Sequence, residues 1–277
     1  MMNLLEKMLL FYQAAIVNFE LKGALMVFIA NFKMMLTTPM AVKLVNDNLA
    51  DYKALATDST IIICPPATAL RDLQKISNQS SIQLGAQTCG PATTGAYTGD
   101  ISPADLAACG ATYCLVGHSE RRNLYFENDV QVAAKAALLA TLHITPVVCI
   151  GETLVDREAG NTLAILERQL TPVLSALNGL EEHVPVLIAY EPVWAIGSGL
   201  VPTPENLSTI FSALSEFMAK KVPTMTYKLL YGGSVSSKTV ISLAQVKHLH
   251  GLLIGGASLD FQEFKKIVDY FHCPASN

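Results

Sequence analysis

Glu191 follows a run of seven mostly apolar residues, VPVLIAY at 184–190. A carboxylate delivered by a buried segment is costly unless a partner or a chemical task holds it there, and such a group is suited to taking a proton. The segment after it, Pro192, Val193, Trp194, Ala195, Ile196, Gly197, Ser198 and Gly199, is apolar, with a proline at its entry and two glycines at its exit. A static surface loop would be more polar; this composition suits a lid that moves as a unit over a ligand. His118 closes the run TYCLVGH at 112–118 and immediately precedes a helix-favouring stretch. The positive end of a helix beneath an imidazole disfavours its charged form, which leaves a neutral ring able to donate a hydrogen bond. A lone histidine is also compatible with a purely structural role.

Asn31 and Lys33 end the first apolar run. In an extended chain residues two apart share a face, so the amide and the ammonium are expected to point the same way. A cation there suits an anionic substrate. Two further runs end in glycine pairs, Gly232-Gly233-Ser234 and Gly255-Gly256. Paired glycines let backbone N–H groups approach an anion, and repetition in consecutive units makes the signal more specific than one pair alone.

The elements that must position these groups are short β-branched runs alternating with segments of helical period. The runs are MVFIAN (26–31), TIIICPP (60–66), SIQLGAQ (81–87), TYCLVGH (112–118), TPVVCIG (145–151), VPVLIAYE (184–191), TYKLLYGG (226–233) and HGLLIGG (250–256). They lack clean polar alternation, as strands buried on both faces of a parallel sheet do. Eight strand–helix units without a second composition regime predict one (β/α)8 barrel over 26–277, with chemistry at the carboxyl ends of the strands. An open doubly wound sheet should carry a dinucleotide or phosphate-loop signature, and the chain has neither.

Composition agrees. The chain has 277 residues, 51% hydrophobic and 15% charged, long enough for one large core. The net charge of -4, without a basic block, argues against a nucleic-acid partner. No apolar stretch has the length of a membrane span. The six cysteines include no C-x-x-C pair and read as free buried thiols of a reducing compartment. His248 and His250 are two apart without an evident third ligand, so no metal site is expected. Residues 1–25 form an extension of uncertain status. They lack a basic start and a clean cleavage site, so a signal peptide is disfavoured and the cytoplasm is the expected compartment. Leu4, Leu5, Met8, Leu9, Tyr12 and Ile16 recur near helical spacing, while Met26 opens directly into a strand and is an alternative start.

Together these segments closely resemble the triosephosphate isomerase family, from about Met26 to Phe271. The carriers are NFKM at 31–34, GAQ and GAYTGD within 85–100, VGHSERR at 116–122, CIGE at 149–152, AYEPVWAIGSG at 189–199, YGGSV at 231–235 and GGASL at 255–259. The resemblance implies interconversion of dihydroxyacetone phosphate and glyceraldehyde 3-phosphate without metal or organic cofactor. It makes Glu191 the base, His118 the neutral electrophile, Lys33 the stabilising cation and Asn31 a substrate-positioning residue. Gly197, Gly255, Gly256 and Ser234 match the phosphate grip, and residues 192–199 the lid. Thr98, within GAYTGD, matches the loop that enters a second subunit, so a homodimer is implied. Phe32, Met35, Thr88, Asp100, Leu200 and His250 depart from the usual family pattern without removing a matched catalytic group. An isomerase of a four-carbon ketose phosphate would keep the same catalytic set. A silent phosphate-binding homologue would be free to lose the base or the cation, and both are present.

Overall fold

The computed structural model describes residues 25–180, 184–196 and 201–272. The amphipathic reading of Leu4 to Ile16 therefore lies outside the described residues, as do Gly197, Ser198 and Gly199 of the lid and Cys273. Eight strands run in chain order: β1 (Met26–Asn31), β2 (Ser59–Cys64), β3 (Gln83–Ala86), β4 (Ala111–Val116), β5 (Thr145–Ile150), β6 (Val186–Tyr190), β7 (Tyr227–Tyr231) and β8 (Gly251–Ile254). They form a closed barrel in which each pairs in parallel with its neighbours, and β8 returns to β1 from Val27↔Gly251 to Ala30↔Ile254.

The helices around it are α1 (Thr38–Asp47), α2 (Leu49–Asp58), α3 (Leu70–Ser77), α4 (Pro103–Ala108), α5 (Ser119–Tyr125), α6 (Asp129–Thr141), α7 (Leu154–Glu158), α8 (Thr162–Asn178), α9 (Pro204–Lys221), α10 (Val240–Leu243) and α11 (Phe261–His272). Several starts are fixed by side chains. Asn128 and Gln131 exchange backbone and side-chain hydrogen bonds at the start of α6, Thr153 and Asp156 do so at α7, and Thr203 caps α9 before Pro204. The ring closes where Phe261 of α11 meets Tyr52 of α2 edge to face, with ring centroids 4.6 Å apart. No described helix is long and apolar enough to cross a membrane.

The absence of alternation in the strands has its cause in two apolar layers. Val27, Ile29, Ile62, Leu115, Val147, Leu187, Ala189, Leu230 and Leu253 form the cluster that fills the barrel. Phe28, Ala30, Ile61, Ile63, Val148, Ile188 and Leu252 face the helices in a second, larger cluster. Both sides of each strand are therefore dry, so polarity is left to the strand ends. Parity then sets the site: Asn31 continues the inward series Val27, Ile29; Glu191 continues Leu187, Ala189; Gly232 follows Leu230 and Gly255 follows Leu253.

Candidate active site

The carboxyl ends of the strands surround a cavity of about 490 Å³ lined by Asn31, Lys33, His118, Glu191 and the glycine-rich ends of β7 and β8. Asn31 is the last residue of β1 and is buried. Its Oδ1 accepts from the Lys33 amide at 3.0 Å, which leaves the Nδ2 hydrogens facing the cavity. Lys33 does reach the site beside Asn31, though not as an extended chain would bring it there. Its φ is +50°, in the left-handed region. That conformation costs an L-residue about 1–2 kcal/mol, and the peptides on both sides of Lys33 hold it. Asn31 takes its N–H, and Gln87 Nε2 donates to its carbonyl at 2.8 Å while also donating to Cys64 O at 3.0 Å. The turn re-aims the ammonium, which contacts Glu120 Oε1 at 2.7 Å.

His118 is buried and caps α5, its Nδ1 accepting from the Glu120 amide at 3.2 Å. A ring nitrogen that accepts an N–H carries no proton, so the hydrogen of the neutral ring sits on Nε2, directed into the cavity. The helix start expected after His118 is present, with His118 as its N-cap. His118 Nε2 and Asn31 Nδ2 lie 3.4 Å apart. Both are donors, so they do not bond each other; they converge on the place where one oxygen atom would accept from both. The loop carrying His118 is braced from behind. Arg122 Nε donates to Gly117 O at 2.8 Å, and the Gly117 amide donates to Glu127 Oε2 at 3.1 Å. Glu127 is itself buried and paired with Lys135 at 2.5 Å.

Glu191 stands one residue beyond β6 and is buried. Its Oε2 accepts from the Ser119 amide at 2.9 Å, and Oε1 lies 3.2 Å from His118 Nε2. Two donors thus offset the loss of water around a buried carboxylate. The inward glycines on the neighbouring strands explain how Glu191 and Lys33 fit. A Cβ on Gly232 would lie 2.9 Å from Glu191 Cγ, and one on Gly255 would lie 3.1 Å from Lys33 Cε. The first glycine of each pair therefore vacates space for a reactive side chain. This adds a steric role to the expected approach of backbone to an anion. Gly256 faces open space with nothing within 4 Å of such a Cβ, so its backbone is accessible from the cavity. Cys149, inward on β5, has its thiol pushed well above the usual range, first by burial and then by the Glu191 charge. It is a thiol, not a nucleophile.

The described part of the lid is a single 3-10 turn, Val193–Ala195. Trp194 Nε1 donates to Glu152 Oε1 at 2.9 Å, the Tyr190 hydroxyl donates to the same oxygen at 3.1 Å, and the Arg157 guanidinium lies 4.3 Å from the Trp194 ring centroid. Ser234 lines the cavity, but its hydroxyl donates to Ala195 O at 2.6 Å. In this conformation it ties down the lid and does not face an anion. Pro192 and Ile196 flank the turn. Thr98 sits away from the cavity, on an exposed loop whose base is closed by the Gly90 amide donating to Ile101 O at 2.8 Å.

Sequence reasoning did not single out Gln87, Ser119, Glu120, Glu127 or Glu152. Gln87, Ser119, Glu120 and Glu152 act on residues 23 to 87 positions away, whereas Glu127 acts on Gly117 and Lys135 within ten. His250 is not presented as a ligand: its Nδ1 accepts from the Leu229 amide at 3.0 Å. Among the described residues no group of three or more His, Cys, Asp or Glu is placed to hold a metal ion.

A parallel eight-stranded barrel with a buried carboxylate, an imidazole and a lysine around one mouth defines the chain as a (β/α)8 barrel with groups suited to acid–base chemistry. A sequence profile of the family described as Triosephosphate isomerase matches residues 26–271. A triosephosphate isomerase of Chelativorans sp. is 43% identical over 212 residues, covering 74% of this chain and 81% of the relative. One of Cupriavidus necator is 42% identical over 221 residues, covering 79% and 90%, and one of Hahella chejuensis is 36% identical over 225 residues, covering 80% and 89%. The chain belongs to the triosephosphate isomerase family, and its function is that of an isomerase.

Proposed function

We propose that the chain interconverts dihydroxyacetone phosphate and D-glyceraldehyde 3-phosphate, with Glu191 as the base, His118 and Asn31 as donors to the reacting oxygen, and Lys33 as the charge that faces the enediolate. The observation that carries this assignment is the meeting of groups from three strands at one point: Glu191 Oε1 is 3.2 Å from His118 Nε2, which is 3.4 Å from Asn31 Nδ2. Glu191 takes the proton from the carbon next to the carbonyl, and the electron pair of that C–H bond becomes the carbon–carbon double bond of the enediolate. The carbonyl oxygen gains the negative charge and is held by Nε2–H of His118, Nδ2–H of Asn31 and the Lys33 ammonium. Return of the proton from Glu191 to the neighbouring carbon, with the hydroxyl proton moved between oxygens through His118, gives the product. No redox partner is needed.

The conformation also suggests how the base is switched on. Glu191 now accepts from Ser119 and faces His118, so it must turn away from both to reach carbon. Leaving those donors frees both carboxylate oxygens for the substrate. Its chain neighbours Pro192 to Ile196 carry the lid, and Ser234 releases Ala195 as that lid moves. Gly197, Gly255, Gly256 and Ser234 are assigned to the phosphate, and lid residues 192–199 to closure over it.

A homodimer completes the proposal. Met34 is 95% exposed and Met35 64%, next to the catalytic Lys33, and Tyr97 is exposed on the projecting loop that carries Thr98. Apolar side chains so placed favour a partner surface, with Thr98 of one copy supporting Asn31 and Lys33 of the other. Free thiols at all five described cysteines are in keeping with the cytoplasm. Turnover of glyceraldehyde 3-phosphate by the purified chain, beside Glu191→Gln prepared identically, tests the assignment. Fast turnover abolished by the substitution supports it; no turnover from a folded dimeric wild type refutes it and turns attention to a four-carbon ketose phosphate.

A further inference from the structure

Two ammonium groups line the cavity among the described residues, and the mechanism uses only one of them. Lys238, in the loop after β7, is the other. We infer that Lys238 is a specificity-determining residue that recognises the phosphate dianion of the substrate at the rim of the cavity. The inference rests on the triose phosphate reading above.

The charge balance of the site carries the argument. Lys33 is compensated by Glu120 at 2.7 Å, and Glu191 adds a further negative charge. Before substrate arrives, the catalytic groups alone therefore sum to a negative charge, yet the proposed substrate is a dianion. A cation free of carboxylates on the phosphate side adds a long-range attraction that backbone N–H groups do not supply. Lys238 is such a cation. Its side chain is exposed, and among the described residues no carboxylate oxygen lies within 4 Å of its ammonium.

Its backbone is held in place on that side of the cavity. The Ser236 amide donates to Thr239 Oγ1 at 2.8 Å, the Thr239 amide to Ser236 Oγ at 3.2 Å, and Thr239 Oγ1 to Ser234 O at 3.2 Å. Glu263 of the last helix accepts from the Ser237 amide at 2.6 Å and makes no ion pair with Lys238. The loop thus fixes where the lysine starts while the long side chain keeps its ammonium in solvent. A charge in that position steers and retains an anion without touching the carbons that react, and salt screens it.

Lys238→Gln and Lys238→Arg, with Lys266→Gln as an exposed charge-matched control, separate this role from a change in net charge. Two readings are taken on each purified protein: kcat/KM for glyceraldehyde 3-phosphate across a salt series, and the Kd of inorganic phosphate. A single exposed charge facing a dianion predicts a roughly three- to tenfold loss in both for Lys238→Gln at low salt, shrinking as salt rises. Arg should restore most of each, and Lys266→Gln should match the wild type. Lys238→Gln that equals the wild type in both readings overturns the inference, as does an Arg variant no better than Gln. If the wild type itself failed to isomerise, the functional reading would fall, and the phosphate Kd would still decide the role of Lys238.

Discussion

Gly232→Ala puts the steric account of the base to a direct test. The added methyl would lie 2.9 Å from Glu191 Cγ and 3.5 Å from both Glu191 Oε1 and Leu253 Cβ. Ordinary carbon contacts fall at about 3.5–4.0 Å, so Glu191 must retreat by roughly 0.6–1 Å. The Glu191 backbone cannot supply that movement easily, because its amide donates to Ile150 O at 2.7 Å and the Gly232 amide donates to Tyr190 O at 2.8 Å. The displacement therefore goes into the side chain that carries the reaction. A misplacement of about 1 Å costs on the order of 10² in rate, so kcat should fall about 10- to 100-fold. Gly232 does not have a positive φ, which leaves the fold able to accept alanine. Steady-state kinetics on the variant, with its thermal midpoint as a control, separates the alternatives. If Gly232 served only the approach of backbone to phosphate, KM would rise with kcat intact, and that result would refute the reasoning.

Other residues yield sharper outcomes in different assays. Lys33→Met removes a charge used in both ground and transition states, so kcat and substrate affinity should both fall; survival of both would remove Lys33 from its role. Gln87→Leu removes the Gln87 donor from Lys33 O and leaves Cys64 O with the Phe32 amide. A loss of about 1–3 kcal/mol in denaturant unfolding, with reduced turnover, is the expected result, and an unchanged kcat would show that the Lys33 turn holds itself. His250 is held down at about 4 by burial first and then by the Lys228 and His248 charges. Its folded value lies below the unfolded one, so the stability it protects is present above about pH 6.5 and lost as pH falls towards 4, because the unfolded chain takes up the proton first. The loss attributable to His250 should be about 2 kcal/mol at pH 5. His250→Asn keeps an acceptor for the Leu229 amide and should flatten that dependence; an unaltered slope would exclude His250 as its source.

The barrel was legible because its strands are dry on both faces. Runs such as VVCI and LIAY cannot be read as half-exposed, and their polar terminal residues then stood out as Asn31, His118 and Glu191. Strands β4, β5 and β7 end before the apolar runs do, since Gly117, Gly151 and Gly232 already lie outside the strands although they look continuous in composition. The Lys33 turn was not legible in the same way. Its left-handed backbone depends on Gln87, 54 residues away, and its ammonium on Glu120, 87 residues away. The space vacated by Gly232 and Gly255 belongs to the same class of fact, because strand pairing sets β7 beside β6 and barrel closure sets β8 beside β1. Local pattern reports which groups are polar at strand ends. Which of them must make room for another is decided across the sheet.

The central claim is that Glu191 carries a proton between adjacent carbons through an enediolate. Isomerisation in heavy water, with the product analysed by NMR, tests it most directly. A proton held on Glu191 between its removal and its return can exchange with solvent, so part of the wild-type product should carry deuterium at the receiving carbon and the rest the transferred hydrogen, while Glu191→Gln should give no product above background. Product formed at the wild-type rate by Glu191→Gln, with or without deuterium at that carbon, would contradict the account.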